Sequence, residues 1–365
     1  MNITRTGRIS AIVAVSAAAA LALSSCASNE AAKPTATVSN LTGTLVGAGS
    51  SAQGSAEESW IAAFQIANPK VTITYDPTGS GAGRKTFIAG GSNFAGSDSY
   101  LGDDELAGTF AACAAGTKPF EVANYISPIA VIYNIAGVTE LNLDASTLAK
   151  IFAGTITTWN DPAIVALNPK AKLPATAITA VHRSDDSGTT KNFSDYLFQT
   201  AKADWAIDKP ADPFPFKTGE GAQGTSGVVA AVTNGTGTIG YADASKAGKL
   251  GVAKIKVGDT FVGYTPEAAA AVVAESKPVA GRAATDMAIK INRTTTNASH
   301  YPIVLVSYLI GCNQYADAKV APLAKAYFEY ILSDAGQQNS AKNAGSAPLT
   351  AAVSTQALAI VNAIK

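Results

Sequence analysis

The densest collection of ligand-capable groups in the chain is Arg183-Ser184-Asp185-Asp186-Ser187-Gly188-Thr189-Thr190. It lies between a strand-like run, residues 177–182, and a helix-like run, residues 191–198. A strand, a Ser/Gly/Thr turn and a helix start together build an anion site, because the free N–H groups of a helix N-terminus point outward and carry partial positive charge. Ser187 and Thr189 add hydroxyls, and Arg183 adds a forked, permanently charged donor. Gly188 lets backbone and ligand approach closely.

Two carboxylates do not fit a plain anion site. Asp185 sits inside this turn, and Asp98 sits in Ala95-Gly96-Ser97-Asp98-Ser99. An ionised carboxylate only accepts hydrogen bonds, so it repels a fully deprotonated anion and attracts one that keeps a proton. Near neutral pH phosphate keeps a proton and sulfate does not. If both Asp residues line one site, the donor set and the carboxylates together point to phosphate.

The elements that must position these groups read as α/β. Strand-like residues 44–46 run into Gly47-Ala48-Gly49-Ser50-Ser51-Ala52-Gln53-Gly54, and a helix is expected over 55–68, stopped by Pro69. Residues 71–75 alternate as a strand, followed by Thr78-Gly79-Ser80-Gly81-Ala82-Gly83 and a helix start at 84–89. A third strand stub, 94–96, leads to Ser97-Asp98. Ligand groups thus fall at the carboxyl ends of strands, as in open α/β sheets. An apolar extended stretch, 124–134, reads as a crossing into a second domain, and 301–309 as the return. Helices are expected over 228–234, 266–275, 320–333 and 353–364, the last two closing the first domain.

The chain has 365 residues, of which 47% are hydrophobic and 15% charged, with 27 basic and 27 acidic side chains. That is enough for a large core or two domains, and nothing in it suggests nucleic acid or an anionic membrane surface as partner. The N-terminus reads as a targeting segment: Arg5 and Arg8, an apolar stretch from Ile9 to Leu23, then Leu23-Ser24-Ser25-Cys26. The pattern is that of a bacterial lipoprotein signal, with Cys26 as the lipidated residue. Removing residues 1–25 takes away both Arg and no acid, leaving 25 basic against 27 acidic groups, formally −2. Residues 26–42 read as a flexible tether. An exported chain can keep disulfides; Cys113 and Cys312 remain, either bonded to each other or as two separate buried thiols.

Competing chemistries find less support. Gly79-Ser80-Gly81-Ala82-Gly83-Arg84-Lys85-Thr86 falls short of a nucleotide P-loop because Arg84 stands where Gly should precede Lys85. No Gly-x-Ser-x-Gly nucleophile elbow and no metal-ligand spacing occur. His182 could be imagined as a base for Ser187, but adjacent strand residues face opposite sides, so a packing role is expected if Arg183 faces the site. Trp60, Trp159 and Trp205 read as core.

The ordered set Gly47-Ala48-Gly49-Ser50-Ser51, Gly79-Ser80-Gly81-Ala82-Gly83, Gly96-Ser97-Asp98, Trp159-Asn160-Asp161-Pro162, Arg183 to Thr190, and Gly240-Tyr241 resembles the phosphate-binding proteins of the bacterial phosphate-specific ABC importer. The resemblance covers about Leu45 to the C-terminus. It implies a periplasmic-binding-protein fold: two lobes, 43–127 plus 302–365 and 128–301, joined by two crossing segments, with the ligand in the cleft between them. It implies phosphate ligands at Ser51, Ala52, Ser80, Asp98, Arg183, Ser187, Gly188 and Thr189, with Asp185 holding the Arg183 fork. It further implies delivery of inorganic phosphate to membrane permease subunits by a monomer anchored through lipid on Cys26 at the extracytoplasmic face of the cell membrane, with no cofactor, no metal and no enzymatic activity. Two departures stand out: Ser51-Ala52-Gln53 in place of the Thr-Phe-Pro of many members, and Asp186 in place of Gly. The alternatives are a phosphatase or phosphotransferase using the same pocket, which would need an activated nucleophile or a metal pair, and a paralogue taking another oxyanion.

Overall fold

The computed structural model describes residues 40–365. The expected signal peptide over 1–25, Cys26 and most of the expected tether lie outside the described residues.

The chain opens with β1 (Gly43–Gly49), α1 (Gly54–Ala67), β2 (Val71–Asp76), α2 (Ser80–Ile88), β3 (Phe94–Ser97) and α3 (Asp103–Ala107). A 16-residue strand, β4 (Pro119–Asn134), follows. Next come β5 (Asn142–Leu143), α4 (Ala145–Phe152), α5 (Pro162–Leu167), β6 (Thr179–Arg183), α6 (Gly188–Thr200), β7 (Glu220–Ala222), α7 (Gly224–Asn234) and β8 (Thr238–Asp243). Short strands β9 (Gly251–Val252), β10 (Lys254–Val257) and β11 (Thr260–Val262) precede α8 (Pro266–Ala274) and the small hairpin β12 (Lys277–Pro278) and β13 (Ile289–Lys290). The return strand is β14 (Val304–Cys312), and α9 (Val320–Leu332), α10 (Asp334–Ala344) and α11 (Ala351–Asn362) end the chain. Among the described residues, no helix is long and apolar enough to cross a membrane.

One curled sheet has the order β2-β1-β3-β14-β4-β8-β6-β7, with β9 beside β4. It consists of two half-sheets sharing one long strand. Residues 119–128 of β4 pair antiparallel with β14, and residues 129–134 pair antiparallel with β8. Within the first half β1 lies parallel to β2 and β3; within the second β6 lies parallel to β7 and β8. The carboxyl ends of β1, β2 and β6 therefore deliver the three Ser-bearing turns, and that of β3 delivers Asp98. All but the last residue of β4 and every residue of β14 are buried, among them the polar Glu121, Asn124, Ser127 and Ser307.

Helix starts follow capping chemistry. Asp144, Asp161, Ser187, Thr265, Ser333 and Thr350 each accept a backbone N–H with the side chain, satisfying one of the donors a helix start leaves open. Ser187 moves the start of α6 forward to Gly188, three residues before the expected run. The helix expected from Arg84 likewise begins at Ser80, and the one expected from Val228 begins at Gly224. Trp60, Trp159 and Trp205 are fully buried in the core. Cys113 and Cys312 form a disulfide.

Candidate functional site

Asp98 follows directly from β3 and is buried. Its Oδ1 accepts from Ser307 Oγ at 2.6 Å, and its Oδ2 accepts from Thr189 Oγ1 at 3.1 Å. The Ser50 hydroxyl also lies near this carboxylate and favours its ionised form. Burial pushes the Asp98 carboxyl up from the usual range; the three hydroxyls and the Arg183 charge oppose the rise without cancelling it. The backbone N–H of Asp98 donates to Ser80 Oγ at 3.1 Å, and its carbonyl accepts from Asn192 Nδ2 at 2.7 Å.

Arg183 ends β6 and is buried. Its Nε donates to Asp185 Oδ1 at 2.7 Å and its Nη2 to Asp185 Oδ2. Nη1 has no partner among the described residues. Burial alone would raise the Asp185 carboxyl, but Arg183 holds it below the usual range, helped by the Gly224 N–H at 3.0 Å. The Arg183 N–H donates to Tyr241 Oη at 3.3 Å, and that hydroxyl also pairs with Thr190 Oγ1 at 2.7 Å.

In α6 the first intrahelical bond is Lys191 N–H to Ser187 O, and Ser187 Oγ accepts the Thr190 N–H at 3.2 Å. The N–H groups of Gly188 and Thr189 are left over as donors. A Cβ on Gly188 would lie 2.7 Å from Ser80 Oγ and 2.8 Å from Asp98 Cβ, so only glycine permits this meeting of the second and third turns with β3. In the first turn Ala52 N–H donates to Ser50 Oγ at 3.1 Å.

Of the residues expected in the site, Ser80, Gly188 and Thr189 meet Asp98 directly and the Arg183 charge acts on it, while Ala52 N–H is given to Ser50 Oγ and Ser187 caps α6. Ser51 is engaged elsewhere. Its Oγ pairs with Thr225 Oγ1 at 3.0 Å and accepts the Thr225 N–H at 3.0 Å. The first-turn hydroxyl that bears on Asp98 is that of Ser50. Sequence reasoning also missed Ser307, although a Ser within Val304-Leu305-Val306-Ser307-Tyr308-Leu309-Ile310 was itself a signal, since a fully buried hydroxyl must find a partner. Asp186 is paired rather than loose in solvent: its carboxylate meets Lys85 Nζ at 2.6 Å, and its carbonyl accepts the Gly81 N–H at 3.0 Å. Arg84, the residue that breaks the P-loop pattern, forms a buried ion pair with Asp212 at 2.8 Å, and Ser99 Oγ donates to the other Asp212 oxygen at 2.7 Å. Both contacts join the two half-sheets beside the site. His182 stacks on Phe214 with ring centres 3.9 Å apart and bonds to the Arg183 carbonyl through Nδ1 at 3.0 Å. No group of three His, Cys, Asp or Glu able to hold a metal ion occurs among the described residues.

Two half-sheets sharing β4, with a polar cleft at their carboxyl ends, define a binding protein of the periplasmic type. The family model for the PBP superfamily domain matches residues 34–335. The chain belongs to the PstS family within that class. It is 36% identical to the phosphate-binding protein PstS 3 of Mycobacterium tuberculosis (strain ATCC 25618 / H37Rv) over 98% of this chain and 99% of the relative. It is also 36% identical to PstS 3 of Mycobacterium leprae (strain TN) over 88% of this chain and 87% of the relative. Among solved structures it resembles a high affinity periplasmic phosphate-binding protein, PfluDING, with a TM-score of 0.68, 22% identity and coverage of 87% of this chain and 93% of that one. The phosphate-binding protein of Stenotrophomonas maltophilia matches with a TM-score of 0.64, 20% identity and coverage of 87% and 93%.

Proposed function

We propose that this protein captures inorganic phosphate outside the cell membrane and delivers it to the permease of an ABC importer by closing two lobes around the anion. The relatives that match nearly its whole length carry the name phosphate-binding protein. The observation that carries the reading within the site is Asp98, a buried acceptor set among hydroxyls, two unspent amides at the start of α6 and the open Nη1 of Arg183. Such a set suits a tetrahedral oxyanion that still holds a proton.

The ligand residues are then Ala52, Ser80, Asp98, Arg183, Ser187, Gly188 and Thr189, with Ser51 at the rim and Asp185 fixing the Arg183 fork. Lobe I comprises 43–127 and 302–365, and lobe II 128–301. Ligand contacts from both lobes stabilise the closed form, and that differential affinity drives closure. The protein acts as a monomer, held to the membrane by lipid on Cys26, and binds rather than turns over its ligand. Incubation with a phosphomonoester should release no phosphate above background.

The test is calorimetric titration of the anion-stripped protein with phosphate and sulfate, for the native chain and for Asp98→Asn. Native protein should bind one phosphate tightly and show no sulfate heat. Asp98→Asn should weaken phosphate binding and narrow the gap to sulfate, because an amide can donate where the carboxylate cannot. Unchanged affinities for both anions would remove Asp98 from the role assigned to it.

A further inference from the structure

Ser307 lies on β14, and its fully buried side chain reaches Asp98. Its position depends on an irregularity in the sheet. Ser307 pairs with Tyr125 and Tyr308 with Ala123, so Asn124 is an extra residue in β4 at that point. Such bulges bend a strand and re-aim neighbouring side chains. The two oxygens of Asp98 are then held differently. The donor to Oδ1, Ser307, comes from the same half-sheet as Asp98 and at 2.6 Å; the donor to Oδ2, Thr189, comes from the facing half at 3.1 Å. Ser307 therefore reaches Asp98 from within one half-sheet, while Thr189 reaches it across the gap between the two halves.

We propose that Ser307 is the positioning residue that occupies Asp98 Oδ1, leaves Oδ2 to accept the ligand's proton, and thereby sets the preference for a protonated oxyanion over a fully deprotonated one. This rests on the reading of the cleft as a phosphate site. Without the Ser307 hydroxyl the carboxylate loses its shortest donor, rotates more freely and takes up a proton more readily. A protonated Asp98 can donate to an anion, which is the property that would admit sulfate. The other groups facing Asp98 are the Arg183 charge on β6, Asp243 at the end of β8, and the phenols of Tyr75 and Tyr125. Lys191, Asp195 and Arg293 line a cavity of about 360 Å³ that Asp98 also borders. All of these are common to the variants compared below, so differences between variants report on Ser307.

The experiment titrates native protein, Ser307→Ala and Ser307→Thr with phosphate and sulfate from pH 5 to 8. It also follows the Asp98 carboxyl by carbon NMR in the absence of anion. Ser307→Ala should lose about tenfold in phosphate affinity and show a smaller phosphate-to-sulfate ratio. Its acid limb of phosphate binding and its Asp98 titration should both move to higher pH. Ser307→Thr keeps the hydroxyl and should restore all three readouts. A Ser307→Ala variant with native ratio, native acid limb and native Asp98 titration overturns the proposal, even if its melting temperature falls. Equal binding of phosphate and sulfate by the native protein would instead overturn the phosphate reading and the preference with it. The NMR titration would then decide alone whether Ser307 governs Asp98.

Discussion

Glu57 shows what burial does to a carboxyl whose partner is a neutral phenol. It lies in α1, fully enclosed, with Oε2 accepting from Tyr327 Oη at 2.9 Å and Oε1 without a partner. Burial pushes the group up to about 8 from an ordinary value of 4.5. The unfolded chain therefore releases this proton near pH 4.5 while the folded chain keeps it. The stabilising contribution is full below pH 4.5 and is lost as the pH rises through 8, at up to about 1.4 kcal/mol per pH unit. Glu57→Gln removes the ionisation, so the melting temperature of the variant should gain on the native protein from pH 5 to pH 8. A difference that stays constant over that range would show that Glu57 ionises in the fold. Asp98 is buried as deeply, yet three hydroxyls and the Arg183 charge favour its ionised form, where Glu57 has only the Tyr327 phenol. Sequence spacing alone does not separate the two acids. The surrounding hydroxyls come from the turn after β1, from α6 and from β14, far apart along the chain.

At the scale of elements, α6 carries the most consequence for its length. Its N-terminus, capped by Ser187, brings Gly188 against β3 and the first turn of α2. Gly188→Ala should lower stability by about 1–3 kcal/mol, because the added Cβ would meet Asp98 Cβ at 2.8 Å and the Asp98 backbone carbon at 2.9 Å, outweighing a helix-propensity gain of roughly 0.5–1 kcal/mol. Anion affinity should fall by at least about tenfold, because a Cβ at 2.7 Å from Ser80 Oγ forces the turns apart. Titration beside thermal melting checks both halves of this expectation, and a variant that binds normally would show that the contact gives way easily. The strand-to-turn units that build the site were legible before the structure, because Gly/Ser runs after short apolar stretches are strong punctuation. Their helix starts were legible only to within a turn. In Gly79-Ser80-Gly81-Ala82-Gly83 glycine reads as loop, yet α2 begins at Ser80. A Cβ on Gly83 would lie 2.2 Å from the Gly49 Cα, so close packing on β1 outweighs poor helix propensity here. The edge pieces β5, β9 to β13 and α10 were not legible, being short or lacking a clear apolar period.

At the scale of the molecule, the halves are joined by contacts that never touch the anion. Arg84–Asp212 is buried, and burial alone would raise the Asp212 carboxyl, but Arg84 and Lys191 hold it below the usual range. Because this pair bridges the two halves, Asp212→Asn should speed phosphate release by roughly tenfold and leave association within about twofold. Stopped-flow measurement of both rates tests this; slower association with native release would place the pair on the encounter instead. Lys85–Asp186 spans the same gap but is largely exposed, so its contribution is small and fades with salt. Neither pairing follows from chain order, which places the partners about a hundred or more residues apart. The Cys113–Cys312 bond spans 199 residues, enclosing everything from β4 to β13 and nearly all of β14. The chain is therefore a covalent ring with two tails. A protease that nicks one loop of the second half-sheet opens the ring but cannot divide the molecule, and both pieces stay attached until the bond is reduced.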